Sequence, residues 1–505
     1  MAFDLSSRRV AVVGLGKSGV ATLRFLLQAG AQVLGCDDRP EAALRSMLAT
    51  LGEHAHSPAL QLHLGGLRAE VLSSVDLIVL SPGVPPTREP IVAARQAGVP
   101  ITGEIELASR YVQAPVVGIT GTNGKSTVTS LCGAIAAETG RPTFCGGNLG
   151  TPLISAVADR DPAISDRGIV VCELSSYQLE TAASLRCRAA VVLNLTPDHL
   201  DRYPSLAAYG DSKARIFANM RSDDDAAPAV RVLCVDDPEV LALYQRSFGE
   251  EPALLFSTAR RAQGVAPQVA GPHRLAGYVD DARGDLVLEL SPDGAAERYP
   301  IAELQLIGRH NLGNVLAAFL LMRASGLATY EQTRRAAARF LPLPHRMELV
   351  GEVAGVRYYD DSKGTNVDAV VAGLDGFPRP LCLIAGGRHK GGSYAPLREV
   401  LCRLPAQTPC RGVLLIGEAA PLLHEALAGC PFPVQRADTL PEAVRAATQL
   451  CRAGDAVVLS PACSSFDMFT DYAHRAQVFV GAVQALAAER IPSPLPTAGL
   501  GTPAS

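Results

Sequence analysis

Short apolar runs alternate with amphipathic stretches along most of the chain. In the first hundred residues RRVAVVGLG, AQVLGCDD, VDLIVLSPG and VPITGE predict strands, and VATLRFLLQAG predicts a helix between the first two. The alternation returns after Tyr111 with APVVGIT, GIVVCEL and AAVVLNLTPDH, and again from about His345 with RYYDDS, RPLCLIAGG, GVLLIG and DAVVLSPA. Apolar strands separated by helices are typical of parallel sheets. The pattern therefore predicts an α/β fold of three successive domains, with a ligand site where the strands end.

The alternation breaks in two places. Between about Pro228 and Glu303, Pro, Gly and Asp interrupt short apolar runs such as RVLCVDD and DLVLELS, and we expect β-rich peripheral structure without an assigned function there. The stretch after Ile491 is rich in Pro, Gly, Ala and Ser, which predicts a flexible tail. We therefore place the domains at 1–112, 113–344 and 345–492, and the tail at 493–505.

Composition narrows the class of protein. With 505 residues, 48% hydrophobic and 19% charged residues and a formal net charge of −4, we expect a multidomain globular protein, neither disordered nor dedicated to binding nucleic acid. The 12 cysteines form no C-x-x-C pair, which favours reduced thiols over a zinc or dithiol motif. No stretch approaches the ~18 apolar residues of a membrane span, and the first apolar run is too short for a signal peptide. We expect a cytoplasmic protein without a membrane span.

Lysine is rare: of 46 lysines and arginines, only five are lysines. An ammonium is a compact cation that can also become neutral, whereas a guanidinium stays charged. The few lysines are therefore candidates for specific chemistry, although for the one in YGDSKARIFANM an exposed helix position is the alternative. They are Lys17, Lys125, Lys213, Lys363 and Lys390.

The loop GLGKSG, at 14–19, has the spacing G-x-G-x-x-G, and the next predicted strand ends at Asp37 and Asp38. Glycines in such a loop let a phosphate approach the backbone, and an acid about 20 residues further on contacts ribose hydroxyls. By itself the motif is compatible with a nicotinamide dinucleotide, another nucleotide or a mere tight turn. Lys17, inside the loop, is as typical of a solvated residue as of a ligand contact.

The segment GITGTNGKST, at 118–127, is the strongest chemical signal. It departs from G-x-x-x-x-G-K-[ST] because Ile119 occupies the first glycine position. The physical parts of a phosphate loop are nevertheless present: a strand, a glycine-rich turn, the Lys125 cation, and the Ser126 hydroxyl as a Mg²⁺ ligand. We predict that a nucleoside triphosphate binds here.

Acidic groups follow two further strands of this domain. Glu173, in ELSSYQLE, ends an apolar run and is placed to hold Mg²⁺; the alternative is an acid at a helix start with a serine of this segment as N-cap. In LNLTPDHLDRY, Asp198, His199 and Asp201 lie together. In a phosphate-loop domain this cluster favours a second metal site over a structural histidine.

The third domain also carries polar groups at its strand ends. YYDDSKGTN has more polar groups than a turn requires, AGGRHKGG offers Lys390 as a carboxylate anchor, and LSPACSSFDMF offers Ser465, with Tyr472 one or two helical turns beyond it. Arg346 is suited to clamp a phosphate with two hydrogen bonds, and a salt bridge with Glu348 is the alternative. No G-x-S-x-G motif supports a hydrolase.

Together these motifs resemble the Mur ligases of bacterial cell-wall synthesis. GITGTNGKST, GGNLGTP, ELSSYQLE, LNLTPDHLDRY, GRHNLGN, HRME and DDSKGTN stand in the order of that family, and the resemblance covers all but the tail and 228–303. GLGKSG, SPGV, DDSKGTN and SPACSSFDMF are similar to the branch that adds D-glutamate; the Asp-Asn-Pro-Arg loop of the branch that adds a diamino acid is not found. The resemblance implies an N-terminal Rossmann-like domain that binds a UDP substrate, a central phosphate-loop ATPase domain and a C-terminal Rossmann-like domain that binds the amino acid.

The resemblance also implies a reaction. ATP phosphorylates the terminal carboxylate of UDP-N-acetylmuramoyl-L-alanine, and the D-glutamate amine attacks the acyl phosphate, with ADP and phosphate as products. Because a carboxylate is a poor electrophile, phosphorylation supplies the leaving group, and catalysis is then mostly positioning and charge stabilisation. The implied cofactors are ATP and Mg²⁺ at two sites. The expected partners are the two small substrates, and we expect a monomer.

Matching the motifs position by position implies roles in all three domains. The nucleotide and first Mg²⁺ would be held by Gly121, Thr122, Asn123, Gly124, Lys125, Ser126, Thr127, Glu173, Asn311, Arg346 and Asp361, with Asn148 near the transferring phosphate. The second Mg²⁺ would be held by His199 and by Lys213, the family lysine that CO₂ converts from a cation into an anionic carbamate. D-glutamate would contact Lys363, Thr365, Lys390, Ser465 and Tyr472, and the uridine nucleotide Lys17, Ser18, Asp37, Asp38, Arg39 and Ser81.

Two features depart from the family pattern. Tyr472 stands where an aromatic residue without a hydroxyl can occur, and the 228–303 segment has no counterpart that we can place. Three other functions are alternatives. They are a folylpolyglutamate synthetase, against which the GLGKSG domain argues, a nicotinamide-dependent dehydrogenase fused to a nucleotide-binding module, and a nucleotide-gated binding protein without chemistry.

Overall fold

The computed structural model describes residues 5–200, 202–220, 229–249, 251–259, 272–291, 294–306, 308–375 and 377–489. The predicted tail lies outside the described residues. The chain divides into two compact units, Met1–Leu341 and Pro342–Ser505. Among the described helices, none combines the length and apolar character needed to cross a bilayer.

The N-terminal sheet of the first unit is entirely parallel, in the order β3-β2-β1-β4-β5. This is the strand order of a doubly wound fold without its sixth strand, and it agrees with the parallel sheet that the sequence predicts. Its central strands are apolar runs because helices cover both faces of such a sheet. The strands are β1 Arg9–Val13, β2 Gln32–Asp37, β3 Leu60–Leu64, β4 Leu77–Leu80 and β5 Ile101–Gly103, and the helices are α1 Lys17–Gln28, α2 Glu41–Ala49, α3 Ala69–Leu72, α4 Glu89–Gln96 and α5 Glu104–Ser109.

The second sheet of this unit has nine strands in the order β14-β13-β12-β11-β10-β9-β6-β8-β7. It is parallel except at the β12–β13 and β13–β14 pairs. The strands are β6 Val116–Thr120, β7 Thr143–Gly147, β8 Ile169–Glu173, β9 Ala189–Val192, β10 Val230–Cys234, β11 Leu254–Ser257, β12 Arg274–Asp280, β13 Asp285–Leu288 and β14 Glu297–Pro300. The helices are α6 Lys125–Ala137, α7 Leu153–Ala158, α8 Ser176–Leu179, α9 Leu206–Ala214, α10 Pro238–Phe248, α11 Arg309–Ala324 and α12 Tyr330–Arg339.

The prediction of peripheral structure between Pro228 and Glu303 is wrong in its placement. The strands are present, but β10 pairs in parallel with β9, so the segment continues the main sheet. It also contains a helix, α10, which begins after Asp237, whose carboxylate caps the helix by accepting the N–H groups of Glu239 and Val240. Pro, Gly and Asp separate these strands in the sequence. Pairing with neighbouring strands and burial of their apolar side chains hold them in the sheet. Residues 260–271 of this segment lie outside the described residues.

The second unit is built on one six-stranded sheet in the order β15-β16-β20-β17-β18-β19, parallel except at β15–β16. The strands are β15 Glu348–Val353, β16 Val356–Asp360, β17 Leu381–Gly386, β18 Cys410–Ile416, β19 Val434–Arg436 and β20 Ala456–Leu459. The helices are α13 Val367–Leu374, α14 Ala395–Arg403, α15 Ala420–Ala426, α16 Leu440–Leu450 and α17 Tyr472–Glu489. The predicted helix between Ser465 and Tyr472 is wrong, since Ser465 lies in a turn and Tyr472 is the first residue of α17.

The β1–α1 loop is closed by a close approach of backbone to backbone at Gly19. A Cβ atom on Gly19 would lie 1.9 Å from the carbonyl oxygen of Gly14 and 2.9 Å from Oγ of Ser81. The Ser81 hydroxyl donates a hydrogen bond of 2.6 Å to the same Gly14 oxygen. Packing within the loop therefore explains Gly19 of GLGKSG, whereas a Cβ on Gly16 would meet no atom within 4 Å.

We expect Gly19→Ala to destabilise the first unit by about 1–3 kcal/mol, because the added methyl group overpacks a contact with rigid backbone. Urea unfolding followed by circular dichroism and limited proteolysis measures this loss. Gly16→Ser is the matched control, since a Cβ on Gly16 meets no atom within 4 Å and serine is a favourable N-cap for α1. Equal stability of the two variants would contradict the packing explanation.

Candidate active site

The phosphate loop spans the gap between β6, which ends at Thr120, and α6, which begins at Lys125. Gly121 and Gly124 have φ angles of 152° and 83°, which L-residues rarely adopt. Gly124 is the N-cap of α6 and brings no side chain there. The N-terminus of a helix is a position at which an anion binds favourably. Ser126 and Thr127 are buried in this first turn. The predicted loop is confirmed as a strand–turn–helix.

Two lysines meet at the carbonyl oxygen of Gly121. Lys125 donates from Nζ to this oxygen at 2.9 Å and to that of Thr122 at 2.7 Å, and Lys213 of α9 donates to it at 2.8 Å. Lys213 is buried, 1% exposed, which excludes the exposed helix position. Burial, and then repulsion by Lys125, hold the pKa of Lys213 well below its usual range, although Asp198 and Glu173 oppose the shift. The site therefore favours a neutral amine at Lys213.

The segment after β9 braces the phosphate loop. Asn194 accepts the backbone N–H of Asn123 on Oδ1 at 2.7 Å and donates from Nδ2 to the Asn123 carbonyl at 3.1 Å. The N–H of Thr122 donates to the carbonyl of Asn194 at 3.0 Å, and the N–H of Thr196 to Oγ1 of Thr122 at 3.1 Å. Sequence reasoning missed Asn194, whose signal was an amide directly after an apolar strand.

Glu173 ends β8 and is 2% exposed. Its Oε1 accepts Nδ2 of Asn148 at 2.7 Å, while Oε2 is buried without a hydrogen-bond partner among the described residues. A buried carboxylate oxygen without a partner is unfavourable unless a cation lies beside it. A carboxylate oxygen and a serine hydroxyl are ligands that Mg²⁺ accepts, so Glu173 and Ser126 fit a magnesium site. Ser175 also N-caps α8, so the alternative helix-start interpretation holds as well.

His199 lies beyond β9 in a loop, with a left-handed φ of 56°. Its Nδ1 is 2.8 Å from the hydroxyl of Tyr177, and its Nε2 is 3.6 Å from Oδ2 of Asp198. The cluster thus pairs His199 with one acid, and Asp201 lies outside the described residues. Asp198 supplies negative charge beside the imidazole, which favours a cation there.

The helix α11 passes behind the phosphate loop. The Cβ that Gly124 lacks would lie 2.3 Å from Oδ1 of Asn314, which is buried. Asn311, the predicted nucleotide contact, accepts Nδ2 of Asn314 on its own Oδ1 at 3.1 Å. Asn314, which sequence reasoning missed, is therefore the α11 side chain in contact with the loop.

The six predicted uridine-side residues surround the β1–α1 loop, and several already have protein partners. Both oxygens of Asp37 are engaged, by the N–H of Leu15 at 2.6 Å and by Arg39 at 2.8 and 2.9 Å. Burial alone would raise its pKa, but these hydrogen bonds lower the pKa of Asp37 to about 2. The others are Asp38, paired with Arg88, Ser18 in the first turn of α1, Ser81, and Lys17, which donates to the carbonyl of Gly150 at 2.5 Å.

In the second unit the predicted residues lie where β16, β17 and β20 end. Asp361 is buried and accepts Oγ of Ser460 at 2.5 Å, and burial raises the pKa of Asp361 to about 7. Nζ of Lys390 lies 3.4 Å from Oγ1 of Thr365. The remaining members are Lys363, with Nζ 5.6 Å from the centre of the Tyr472 ring, buried Ser465, and Arg346, whose Nε is buried without a partner among the described residues.

Three family models match the chain in succession. The Mur ligase MurD-like N-terminal domain matches residues 8–103, the Mur ligase middle domain 119–322, and the Mur ligase glutamate ligase domain 345–463. The UDP-N-acetylmuramoylalanine–D-glutamate ligase of Citrifermentans bemidjiense is 43% identical over 95% of this chain and 98% of its own length. The enzyme of that name from Anaeromyxobacter dehalogenans is 43% identical over 94% and 97%.

Solved structures agree on the fold. UDP-N-acetylmuramate-alanine ligase MurC from Thermotoga maritima has a TM-score of 0.57 at 17% identity, covering 95% of this chain and 99% of its own. MurF ligase from the same organism, in complex with ADP, has a TM-score of 0.55 at 17% identity, covering 97% and 100%. Three consecutive family models and relatives more than 40% identical over nearly the full length establish that the chain belongs to the Mur ligase family.

Proposed function

We propose that this Mur ligase joins D-glutamate to UDP-N-acetylmuramoyl-L-alanine at the expense of ATP, in the synthesis of peptidoglycan precursors. The observation that carries the proposal is the 42–43% identity, over nearly the whole chain, to relatives that bear this name. The site supports phosphoryl transfer, because two lysines, the N-terminus of α6 and a buried carboxylate lie at one phosphate loop. The rival dehydrogenase accounts for none of these groups.

The chain's own residues supply the positioning. The γ-phosphoryl group moves from ATP to the carboxylate of the L-alanine, ADP leaves, and the amine of D-glutamate displaces phosphate from the acyl carbon. The N-terminal turn of α6 and Lys125 would hold the phosphates, and Asn314 fixes the loop from behind. Asn148 donates to Glu173 and so orients that carboxylate.

Glu173 and Ser126 would hold the first Mg²⁺, and His199 with Lys213 the second. Bound Mg²⁺ neutralises charge on the transferring phosphoryl group. Oε2 of Glu173, which is buried without a hydrogen-bond partner in the part of the chain that the structure describes, and the acid beside His199 support this assignment. Both metal positions are then in the first unit.

Carbamylation of Lys213 would remove an electrostatic conflict. An ammonium at buried Lys213 would repel that of half-buried Lys125 at the same carbonyl, and the neutral amine that burial favours is the form that attacks CO₂. The product, R–NH–COO⁻ plus a proton, is an anion that attracts Lys125 and provides oxygen ligands for metal. Arginine cannot take part because its guanidinium stays charged.

The other substrates would occupy the remaining predicted positions. In the second unit, Lys390 would pair with a carboxylate of D-glutamate, with Lys363, Thr365, Ser465 and Tyr472 around it, and Arg346 and Asp361 would contact ATP. Lys17 and Ser18 lie at the start of α1 and Arg39 follows β2, which suits a uridine diphosphate, while Asp37 would act mainly by shaping the loop. The proposal keeps the domains at 1–112, 113–344 and 345–492, and a cytoplasmic monomer.

The proposed reaction predicts strict dependence on one amino acid. With ATP, Mg²⁺ and UDP-N-acetylmuramoyl-L-alanine present, phosphate release should rise on adding D-glutamate, and not on adding L-glutamate, L-lysine or meso-diaminopimelate. Separate release assays with each amino acid measure this. Slow hydrolysis insensitive to every amino acid would favour a nucleotide-gated binding protein, and reduced nicotinamide cofactor bound at GLGKSG would favour a dehydrogenase.

Glu173→Gln should lower kcat by about 10²-fold or more, because an amide keeps the shape but not the charge that stabilises the metal and the transferring group. The hydrogen bond from Asn148 can persist, since a glutamine oxygen also accepts. Phosphate release measured against Mg²⁺ concentration, together with a melting curve, separates loss of charge from loss of fold. Wild-type turnover in a folded variant would exclude Glu173 as a metal ligand.

Lys213→Ala should abolish turnover, and a small carboxylic acid should partly restore it by occupying the position of the carbamate. Lys213→Arg is the matched control: it keeps a cation that CO₂ cannot modify, and it should be inactive with no rescue. A carbamate signal in ¹³C NMR after addition of labelled bicarbonate should be present in the wild type and absent in both variants. An active Lys213→Ala enzyme would refute the carbamate role.

A further inference from the structure

The environment of His199 contains a residue that none of the proposed catalytic roles uses. Tyr177, half-buried on α8, places its hydroxyl 2.8 Å from Nδ1 of His199, and the two ring centres are 5.0 Å apart. Nε2, on the other side of the imidazole, faces the carboxylate of Asp198 at 3.6 Å. The two nitrogens of His199 thus meet different chemistry.

A neutral imidazole can bind a metal only through the nitrogen that carries no proton. Metal-binding histidines usually donate the other N–H to a fixed acceptor, which sets both the tautomer and the orientation of the ring. Nε2 lies on the anionic side, beside Asp198, where a cation is attracted. The hydroxyl oxygen of Tyr177 is then the acceptor for a proton on Nδ1.

Tyr177 is itself held on its ring face. The guanidinium carbon of Arg202 lies 4.1 Å from the centre of the Tyr177 ring, within the range of a cation–π contact. Arg202 is fixed by Glu180, which accepts from Nε at 3.2 Å and from Nη2 at 2.6 Å. Its Nη1 donates to the carbonyl of Pro82, in the SPGV loop after β4, at 3.1 Å. A planar cation anchored at both ends therefore restricts the tyrosine ring.

We propose that Tyr177 is a positioning residue that holds the His199 imidazole through Nδ1, accepting the Nδ1 proton when Nε2 binds the second metal, with Arg202 holding the tyrosine in place. The metal in this inference rests on the proposed function, whereas the contact between Tyr177 and His199 does not. Tyr177 touches neither substrate nor metal and acts through His199.

Tyr177→Phe removes the acceptor oxygen and keeps the ring on which Arg202 rests. In ¹⁵N-histidine-labelled protein with a non-hydrolysable ATP analogue and Mg²⁺ near its half-saturating concentration, the share of His199 in the Nδ1–H form should be smaller in the variant than in the wild type. Metal on Nε2 leaves the proton on Nδ1, and the variant has lost the hydroxyl that accepts it. His199→Gln identifies the signals. An unchanged tautomer in a folded Tyr177→Phe protein would overturn the proposal.

The second readout is metal affinity. Binding of Mn²⁺ to the complex with a non-hydrolysable ATP analogue, followed by electron paramagnetic resonance, should be about tenfold weaker at the second site in Tyr177→Phe. The Mg²⁺ concentration for half-maximal phosphate release should rise similarly, while KM for D-glutamate stays unchanged. A larger KM for D-glutamate with unaltered metal binding would point instead to a general structural role and refute the proposal.

Tyr330→Phe is the matched control. Tyr330 is also half-buried and loses a hydroxyl hydrogen bond, of 2.7 Å to the carbonyl of Arg298, at the start of α12. It should leave both the His199 tautomer and Mn²⁺ binding unchanged. The two proposals can fail separately. If D-glutamate stimulates neither the wild type nor the variants while the His199 tautomer shifts as expected in Tyr177→Phe, the proposed reaction is wrong and the role of Tyr177 stands.

Discussion

The central site depends on one backbone oxygen, the carbonyl of Gly121, which accepts hydrogen bonds from two lysines. Lys125 and Lys213 approach it at 2.9 and 2.8 Å, in surroundings that exclude water from Lys213. Two ammonium groups at one carbonyl would repel each other, which is one cause of the lowered pKa of Lys213. A negative group beside these lysines, such as the phosphate or the carbamate proposed above, would relieve this repulsion. The same constraint explains why a carboxylate, Glu173, is buried nearby.

The strand order brings these groups together. In the second sheet the strands β9, β6 and β8 are neighbours, and all three run in parallel and end at the same edge. Gly121 follows β6, Glu173 ends β8 and Asn194 follows β9, so residues far apart in the chain meet there. A ligand at the carboxyl edge of a parallel sheet follows from this topology. Lys213 enters from α9, the helix that follows the His199 loop.

Sequence reasoning succeeded where chemistry and conformation are local. The phosphate loop was predictable because its glycines, its lysine and the flanking strand are contiguous, and Glu173 because it directly ends an apolar run. It failed where a contact is decided by packing between distant elements. Spacing marks Asp37 as a ribose ligand, but it could not show that the carboxylate also accepts hydrogen bonds from Leu15 and Arg39. Asn314 contacts Gly124 only because α11 passes over the loop.

The placement of β10 to β14 shows the same limit at the scale of the fold. Pro, Gly and Asp correctly mark the ends of these strands, yet they carry no information about which strand is the neighbour. That choice is made by burial: Val232 and Leu233 of β10 are buried beside Val191 and Val192 of β9. Pro, Gly and Asp thus mark where a strand ends. Backbone pairing with a neighbour, together with burial of the apolar side chains, decides which sheet the strand joins.

Arginine and lysine make different kinds of contact in this chain. Arginine forms forked pairs with carboxylates, as between Arg202 and Glu180, and such pairs need a permanent charge and a planar donor set. Lys125 and Lys213 instead donate to a backbone oxygen at the phosphate loop, where a compact amino group fits and its charge can depend on the surroundings. At Lys213 an arginine would keep its charge beside Lys125 and sustain the repulsion. Of the two residues, only lysine has an amino group that can lose its proton when it is buried. The buried position of Lys213 therefore suits lysine and not arginine.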